Sequence, residues 1–239
     1  MRLFLTGDTH NNLEINRLSR KRFPLGRKLT KNDLLIVLGD YGIPWDGQKS
    51  DEYWLNWCEA LPFSLAFIDG NHINFNLLYQ YPVEEWNGGK THILRPHIHH
   101  LMRGELFTFN NQTFFTFGGA RSTDRYRRKE NVSWWPQEIA SREEMQHGAD
   151  TLTANDFKVD SILTHCAPNY IVNKLYNFAL EYDDMTNYLE KCVRQDTQFK
   201  KWFCGHYHEN RYFENDKYNV IYTNIVELMP DGKIVVVNN

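Results

Sequence analysis

The sequence predicts an α/β fold built on a parallel or mixed sheet, and three observations predict it. Short apolar runs alternate with helix-like stretches through the first half of the chain. Some of those runs are continuously apolar, as strands buried on both faces are. The runs close in polar turns, most of them carrying glycine, before the next segment begins. Strand, polar turn, helix and strand in that order is the signature of a βαβ unit.

Taken in order, Arg2–Thr6 is the first strand, closing at Gly7-Asp8. Asn12–Lys21 reads as a helix, with Leu13, Ile15 and Leu18 as its apolar positions. Leu34–Leu38 is a buried strand ending at Gly39-Asp40. Ser50–Leu61 is a helix whose first turn carries Asp51 and Glu52, where negative charge suits the helix dipole. Phe63–Ile68 is the third strand and ends at Asp69-Gly70-Asn71-His72. The middle holds short strands at Thr91–Leu94, His100–Met102, Leu106–Phe109 and Thr113–Phe117, with Asn110-Asn111 as a hairpin turn. Arg121–Gly148 reads as a polar loop followed by a helix from near Pro136. Ser161–Leu163 and Lys201–Cys204 are further strands, closing at Thr164-His165 and Gly205-His206, with a helix over Asp184–Arg194 between them. Tyr218–Thr223, Ile225–Met229 and Lys233–Val237 are β-structure, the last two joined at Asp231-Gly232.

Composition narrows the class. The chain has 239 residues, 41% apolar and 24% charged, which is ordinary globular usage and excludes wholesale disorder, collagen and coiled coil. No repeat or linker divides it, so a single domain over 1–239 is expected. The net charge of −3 gives no strong field for nucleic acid or a membrane surface. No apolar run approaches the ~20 residues of a spanning helix. The opening segment is too short for a secretory signal, and Asp8 interrupts it. A cytoplasmic protein with reduced thiols at Cys58, Cys166, Cys192 and Cys204 is expected; no two of these form a C-x-x-C pair.

The chemistry gathers at the strand ends. Asp8 and His10, Asp40, Asn71, His165, and His206 and His208 each follow an apolar run. In open α/β sheets ligands bind outside the carboxyl ends of the strands, so these ends should converge. Two carboxylates, an amide oxygen and four imidazoles form a mixed oxygen and nitrogen set. Such a set suits Mn, Fe, Zn, Co or Ni better than Ca or a thiolate-rich zinc site. Seven donors exceed the needs of one small ion and suit two ions ~3.5–4 Å apart that share a carboxylate.

The ordered set Asp-x-His, Gly-Asp, Gly-Asn-His, His and Gly-His-x-His, running from Asp8 to His208, resembles the calcineurin-like metallophosphoesterases. Gly118-Gly119-Ala120, followed by a charged segment with Trp134 and Trp135, is similar to small bacterial and prophage members. The resemblance implies a four-layer αββα sandwich of two mixed β-sheets flanked by helices. It implies that Asp8, His10 and His208 bind one transition-metal ion and Asn71, His165 and His206 a second, with Asp40 bridging. Manganese is the first choice. His72 would not be a ligand but would stand near the leaving group or orient the attacking group, held by Asp69 or Asp40. The chain departs from the protein phosphatases of the family: Tyr41-Gly42-Ile43-Pro44 follows Asp40 where those enzymes carry Asp-Arg-Gly, and Ile73 stands where Glu is common.

The expected function is therefore hydrolysis of a phosphate ester by a hydroxide shared between two ions. His72, as imidazolium, would assist the leaving oxygen. Arg121 and Asn11 are candidate substrate contacts, Arg121 because a guanidinium matches phosphate bidentately. The alternatives are a phosphodiesterase or nuclease with the same centre, or a catalytically silent scaffold, which would have lost ligands. Arg121, Arg125, Arg127, Arg128 and Lys129, beside Trp134 and Trp135, could line a nucleic-acid groove, form a lid, or be a solvated face. His97, His99 and His100 read as a solvated or strand-end cluster rather than a metal tract.

Overall fold

The computed structural model describes residues 1–176 and 183–238. The first six strands are β1 (Leu3–Thr6), β2 (Leu34–Val37), β3 (Ser64–Phe67), β4 (Val83–Trp86), β5 (Gly89–Arg95) and β6 (Ile98–Leu101). Then come β7 (Glu105–Phe109), β8 (Gln112–Phe117), β9 (Ser161–Thr164) and β10 (Lys201–Cys204). The last four are β11 (Arg211–Phe213), β12 (Tyr218–Val220), β13 (Ile225–Leu228) and β14 (Ile234–Val236). Helices are α1 (Lys49–Glu59), α2 (Phe75–Leu78), α3 (Arg142–Ala154), α4 (Asn169–Leu175) and α5 (Asp184–Tyr188), the last running into a π-helical turn over Leu189–Arg194.

Two mixed sheets result. One has the order β14-β13-β1-β2-β3-β6-β5-β4, the other β11-β12-β10-β9-β8-β7. The period-2 alternation of strand side chains explains the layering. Leu3, Leu5, Leu34 and Ile36 meet Phe114, Leu163 and Phe203 in the core between the sheets. Their neighbours Phe4, Leu35 and Val37 face the other way, onto Leu55 and Cys58 of α1. On the second sheet, Phe115, Ile162 and Trp202 face outward onto Leu152 of α3, Ile171 of α4 and Met185 of α5. Helix, sheet, sheet, helix is the αββα sandwich. The central strands are apolar on both faces because both faces are covered.

Several segments differ from expectation, four of them for an evident physical reason. Asn12–Lys21 is not a helix but two 3₁₀ turns, Asn11–Leu13 and Ile15–Leu18. Between them Glu14 leaves helical geometry at φ −130°, and its carboxylate turns back toward His10. The turn at Pro136 spans three residues only, because Glu138 is drawn into the interior. The helix starts instead at Arg142, where Ser141 and Glu144 form a capping box. The strand β4 lies outside the expected set, since Val83-Glu84-Glu85-Trp86 lies on an exposed edge without a clean alternation. His99 and His100 are not solvated: they lie on β6 and are buried. His99 stacks on Trp86 at 4.1 Å, and His100 Nδ1 stands 3.0 Å from Nδ1 of buried His92.

Burial pushes the pKa of His92 and of His99 down to about 4. Both are depressed below the unfolded value near 6.5, so the stability they confer is full above that value. It drains away as pH falls from about 6.5 to about 4. Moving from pH 7 to pH 5 should cost about 2–4 kcal/mol of unfolding free energy through these two rings. Urea midpoints at the two pH values check this, and replacing both rings by Phe should flatten the difference.

Candidate metal centre

The parallel pairing of β1, β2 and β3 brings their carboxyl ends to one edge of the first sheet. The parallel pairing of β8, β9, β10 and β12 does the same in the second sheet. The two edges meet. His165 Nδ1, after β9, lies 2.8 Å from the carbonyl oxygen of Leu38, after β2. The backbone N–H of His206, after β10, donates to Asp8 Oδ1, after β1, at 3.0 Å. Glycine makes the approach possible at two points. A Cβ on Gly39 would lie 2.0 Å from His165 Nδ1, and one on Gly70 would lie 2.2 Å from Asp40 Oδ1.

Asp40 stands at the middle of the cluster. Its Oδ2 is 3.4 Å from His10 Nε2, and its Oδ1 is 3.4 Å from His165 Nε2. Asp8 Oδ2 lies 3.1 Å from His208 Nε2 and 4.0 Å from His10 Nε2. Asn71 Oδ1 lies 3.2 Å from His165 Nε2. His206 packs edge-on to His165, with ring centroids 5.0 Å apart. All seven expected donors are thus brought together. Asp8 and His165 are fully buried, Asp40 and Asn71 nearly so, and His208 is exposed. His10, Asp40, His206 and His208 all adopt left-handed φ, between 41° and 69°. Non-glycine residues seldom adopt it, and such strain concentrates at functional sites.

Three features of the donors fit a metal. His165 Nδ1 is held by a carbonyl, which keeps a proton there and turns Nε2 toward the oxygens of Asn71 and Asp40, where a neutral ring would present a bare lone pair. His10 repeats the pattern: Glu14 Oε2 holds its Nδ1 at 3.1 Å, which leaves Nε2 facing Asp40. A carboxylate or carbonyl behind the far ring nitrogen is how proteins orient metal-binding histidines. Asp8 Oδ2 is buried and accepts no aligned hydrogen bond, although His208 is near. Converging lone pairs of this kind require a cation. Without one, His165 takes up a proton. Burial opposes the charge, but Asp40 and Asp8 outweigh it and push the His165 pKa up to about 9. Burial likewise works against ionised Asp40, yet His165 and His10 hold its carboxyl well below the usual range.

Further out, the Asn71 Nδ2 donates to Ser122 Oγ at 3.2 Å, and Ser122 Oγ donates to Glu138 Oε2 at 2.7 Å. Fully buried Glu138 also accepts from the Ser122 N–H and from Arg125 Nε. This chain turns the Asn71 amide so that its oxygen faces the cluster. Ser122→Ala should lower metal affinity ~10–100-fold, as loss of an orienting partner does. Metal titration of the stripped protein reads this without an activity assay.

His72 stands where its motif predicts. A ring nitrogen lies within 4.8 Å of ligand atoms of both His10 and Asp40, so the geometry admits His72 as a ligand too. Asp40 Oδ1 accepts the His72 backbone N–H at 2.7 Å. Asp69 does not hold the ring; it is engaged by Arg103 and His100. Burial lowers the His72 pKa, Asp40 opposes this, and Arg128 and His10 lower it further. The ring is therefore neutral at pH 7, not the imidazolium expected. The fixed charge beside it is Arg128, whose Nη1 and Nη2 lie 3.3 and 3.4 Å from His72 Nδ1 and Nε2. Asp124 and the Ser133 carbonyl hold that guanidinium. Arg121 is exposed and, among the described residues, makes no hydrogen bond or ion pair. Asn11 lines a cavity beside His10.

Sequence reasoning missed Glu14, Ser122, Glu138, Trp45 and the role of Arg128. Glu14 carries a local signal, its i,i+4 spacing from His10, and Trp45 follows Asp40 by five positions; Ser122, Glu138 and Arg128 reach the centre from a distant segment.

Two face-to-face mixed sheets thus carry an oxygen and nitrogen donor cluster at their shared edge. The calcineurin-like phosphoesterase family model matches residues 1–210, and the chain belongs to that family. No curated protein matches in sequence. Among solved structures, a Staphylococcus aureus protein provisionally described as a 5′-nucleotidase is similar at 12% identity and TM-score 0.45, covering 100% of this chain and 54% of its own. Phosphopantetheinyl hydrolase from Mycobacterium tuberculosis is similar at 16% and 0.44, covering 92% and 88%. The Thermus thermophilus sulfate thiohydrolase SoxB is similar at 10% and 0.47, covering 99% and 56%. The chain spans about half the length of the first and third of these. Among the described residues, no helix is long and apolar enough to cross a membrane.

Proposed function

We propose that the protein hydrolyses a phosphate ester at a two-metal centre. Asp8, His10 and His208 hold one ion, and Asn71, His165 and His206 the other, with Asp40 between them and manganese the first choice. The observation that carries this reading is the division of Asp40, whose two oxygens face two different imidazoles. Bound there, two such ions acidify water and neutralise charge on phosphoryl oxygens.

The protein's own groups do the rest. His10 and His165 keep their Nδ1 protons on Glu14 and Leu38, so both present Nε2. Neutral His72 offers a ring N–H as a hydrogen bond to the departing oxygen, whose proton comes from water. Arg128 takes the place first given to Arg121, as a fixed cation poised over His72 and able to pair with a phosphoryl oxygen. A charge-assisted hydrogen bond of this kind is worth about 1.5–3 kcal/mol, so Arg128→Ala should lower kcat/KM ~10–100-fold. Arg121→Ala should cost less. Steady-state kinetics on one ester compares them.

The basic segment is not a free comb of cations. Arg125 pairs with Glu138 and lies over Trp134, and Arg128 is held by Asp124. That weakens the nucleic-acid reading. The test of function is hydrolysis by metal-loaded protein across phosphomonoesters, diesters, nucleotides and phosphopeptides. Turnover of one class supports the proposal; two bound metals with no ester cleaved would make the chain a silent scaffold.

A further inference from the structure

A cavity of about 590 Å³ opens beside the metal centre and shares His10, His72 and His208 with it. Its other lining includes Leu13, Trp45 and Tyr222. Trp45 lies near-parallel to His72, with centroids 6.4 Å apart and planes at 27°. Tyr222 lies near-parallel to His208, at 4.5 Å and 12°. His10 is edge-on to both imidazoles, at 5.3 and 5.1 Å. Two aromatic pairs therefore flank one proposed ligand. Leu13 adds an apolar surface that is 74% exposed.

The indole is held in place before any ligand arrives. Asp51 Oδ2 accepts the backbone N–H groups of Trp45, Asp46 and Gly47 at 2.8, 3.0 and 2.8 Å. Asn74 Nδ2 donates to the Trp45 carbonyl at 2.8 Å, and Trp135 packs edge-on behind the ring at 5.3 Å. A preset ring loses little freedom on binding. Asn11 lines the same cavity.

A phosphoryl group has no use for an indole, a phenol ring and an exposed leucine; the alcohol it is esterified to does. We infer that this cavity seats the leaving group of the ester, and that this group carries a flat aromatic ring. A nucleoside and an aryl alcohol share that chemistry. The inference rests on the hydrolytic reading above and names the substrate class for that same site.

The experiment compares kcat/KM for adenosine 5′-monophosphate, 4-hydroxyphenyl phosphate and glycerol 3-phosphate in the metal-loaded wild type, Trp45→Leu and Trp45→Phe. The wild type should favour at least one aromatic ester over glycerol 3-phosphate. Trp45→Leu should shrink that ratio ~10–100-fold, the range for losing one stacked ring, and Trp45→Phe should restore part of it. Which aromatic ester leads decides between nucleoside and aryl alcohol. A wild type indifferent to the ring, or a Trp45→Leu variant that slows all three esters equally, would overturn the inference while leaving hydrolysis intact. If no ester is cleaved, the hydrolytic reading fails first. Calorimetric titration of the metal-loaded protein with adenosine and with hydroquinone then reads the cavity alone. Binding weakened by Trp45→Leu would support an aromatic site, and no binding would overturn it.

Discussion

Asp40→Ala is expected to strip metal from both positions and to abolish most turnover. Each Asp40 oxygen faces a different imidazole, so one substitution removes a donor from both halves of the proposed centre. Loss of a group one shell further out typically costs ~10–100-fold. A shared ligand should cost more than that in affinity and in rate. The fold should survive, because Asp40 lies at a strand end and the apolar layers do not depend on it. Elemental analysis of the purified variant, alongside circular dichroism, checks both parts. Two full equivalents of metal in folded Asp40→Ala would remove the bridging role.

His72→Ala is expected to retain both metals and lose ~10²–10⁴ in rate on esters with poor leaving groups. The loss should shrink on nitrophenyl esters, whose leaving oxygen needs little help. The neutral ring sharpens the pH expectation. A lowered His72 pKa keeps its N–H donor form unchanged through neutral pH, so the wild-type rate should not fall as pH rises from 6.5 to 8 for want of an imidazolium. Equal losses on good and poor leaving groups would point to positioning of phosphate together with Arg128. Loss of metal would make His72 a ligand, which its distance to His10 and Asp40 permits.

The first-order plan of this molecule was legible because it is local. Continuous apolar runs such as Leu34–Val37 are strands covered on both faces, and the donors follow them at once in sequence. Parallel pairing then places those ends together without further information. What sequence could not show depends on contacts between distant loops. Glu138 lies 67 positions beyond Asn71, yet through Ser122 it sets the direction of that amide. Arg128 is 56 positions from His72 and is one of several arginines in its segment, with nothing local to distinguish it from Arg121. The turns at Asn11–Leu13 and Ile15–Leu18 mimic helix periodicity, but the backbone breaks between them at Glu14, at φ −130°. The histidines of β6 looked polar and exposed; stacking on Trp86 and the link to His92 bury them instead.

The central claim is a pair of ions shared through Asp40, and anomalous diffraction from manganese-loaded crystals tests it most directly. The account predicts two peaks ~3.5–4 Å apart, the spacing of two-metal sites. Asp40 should lie between them, with Asp8, His10 and His208 around one and Asn71, His165 and His206 around the other. A single peak, or a pair away from the Asp40 carboxylate, would contradict it.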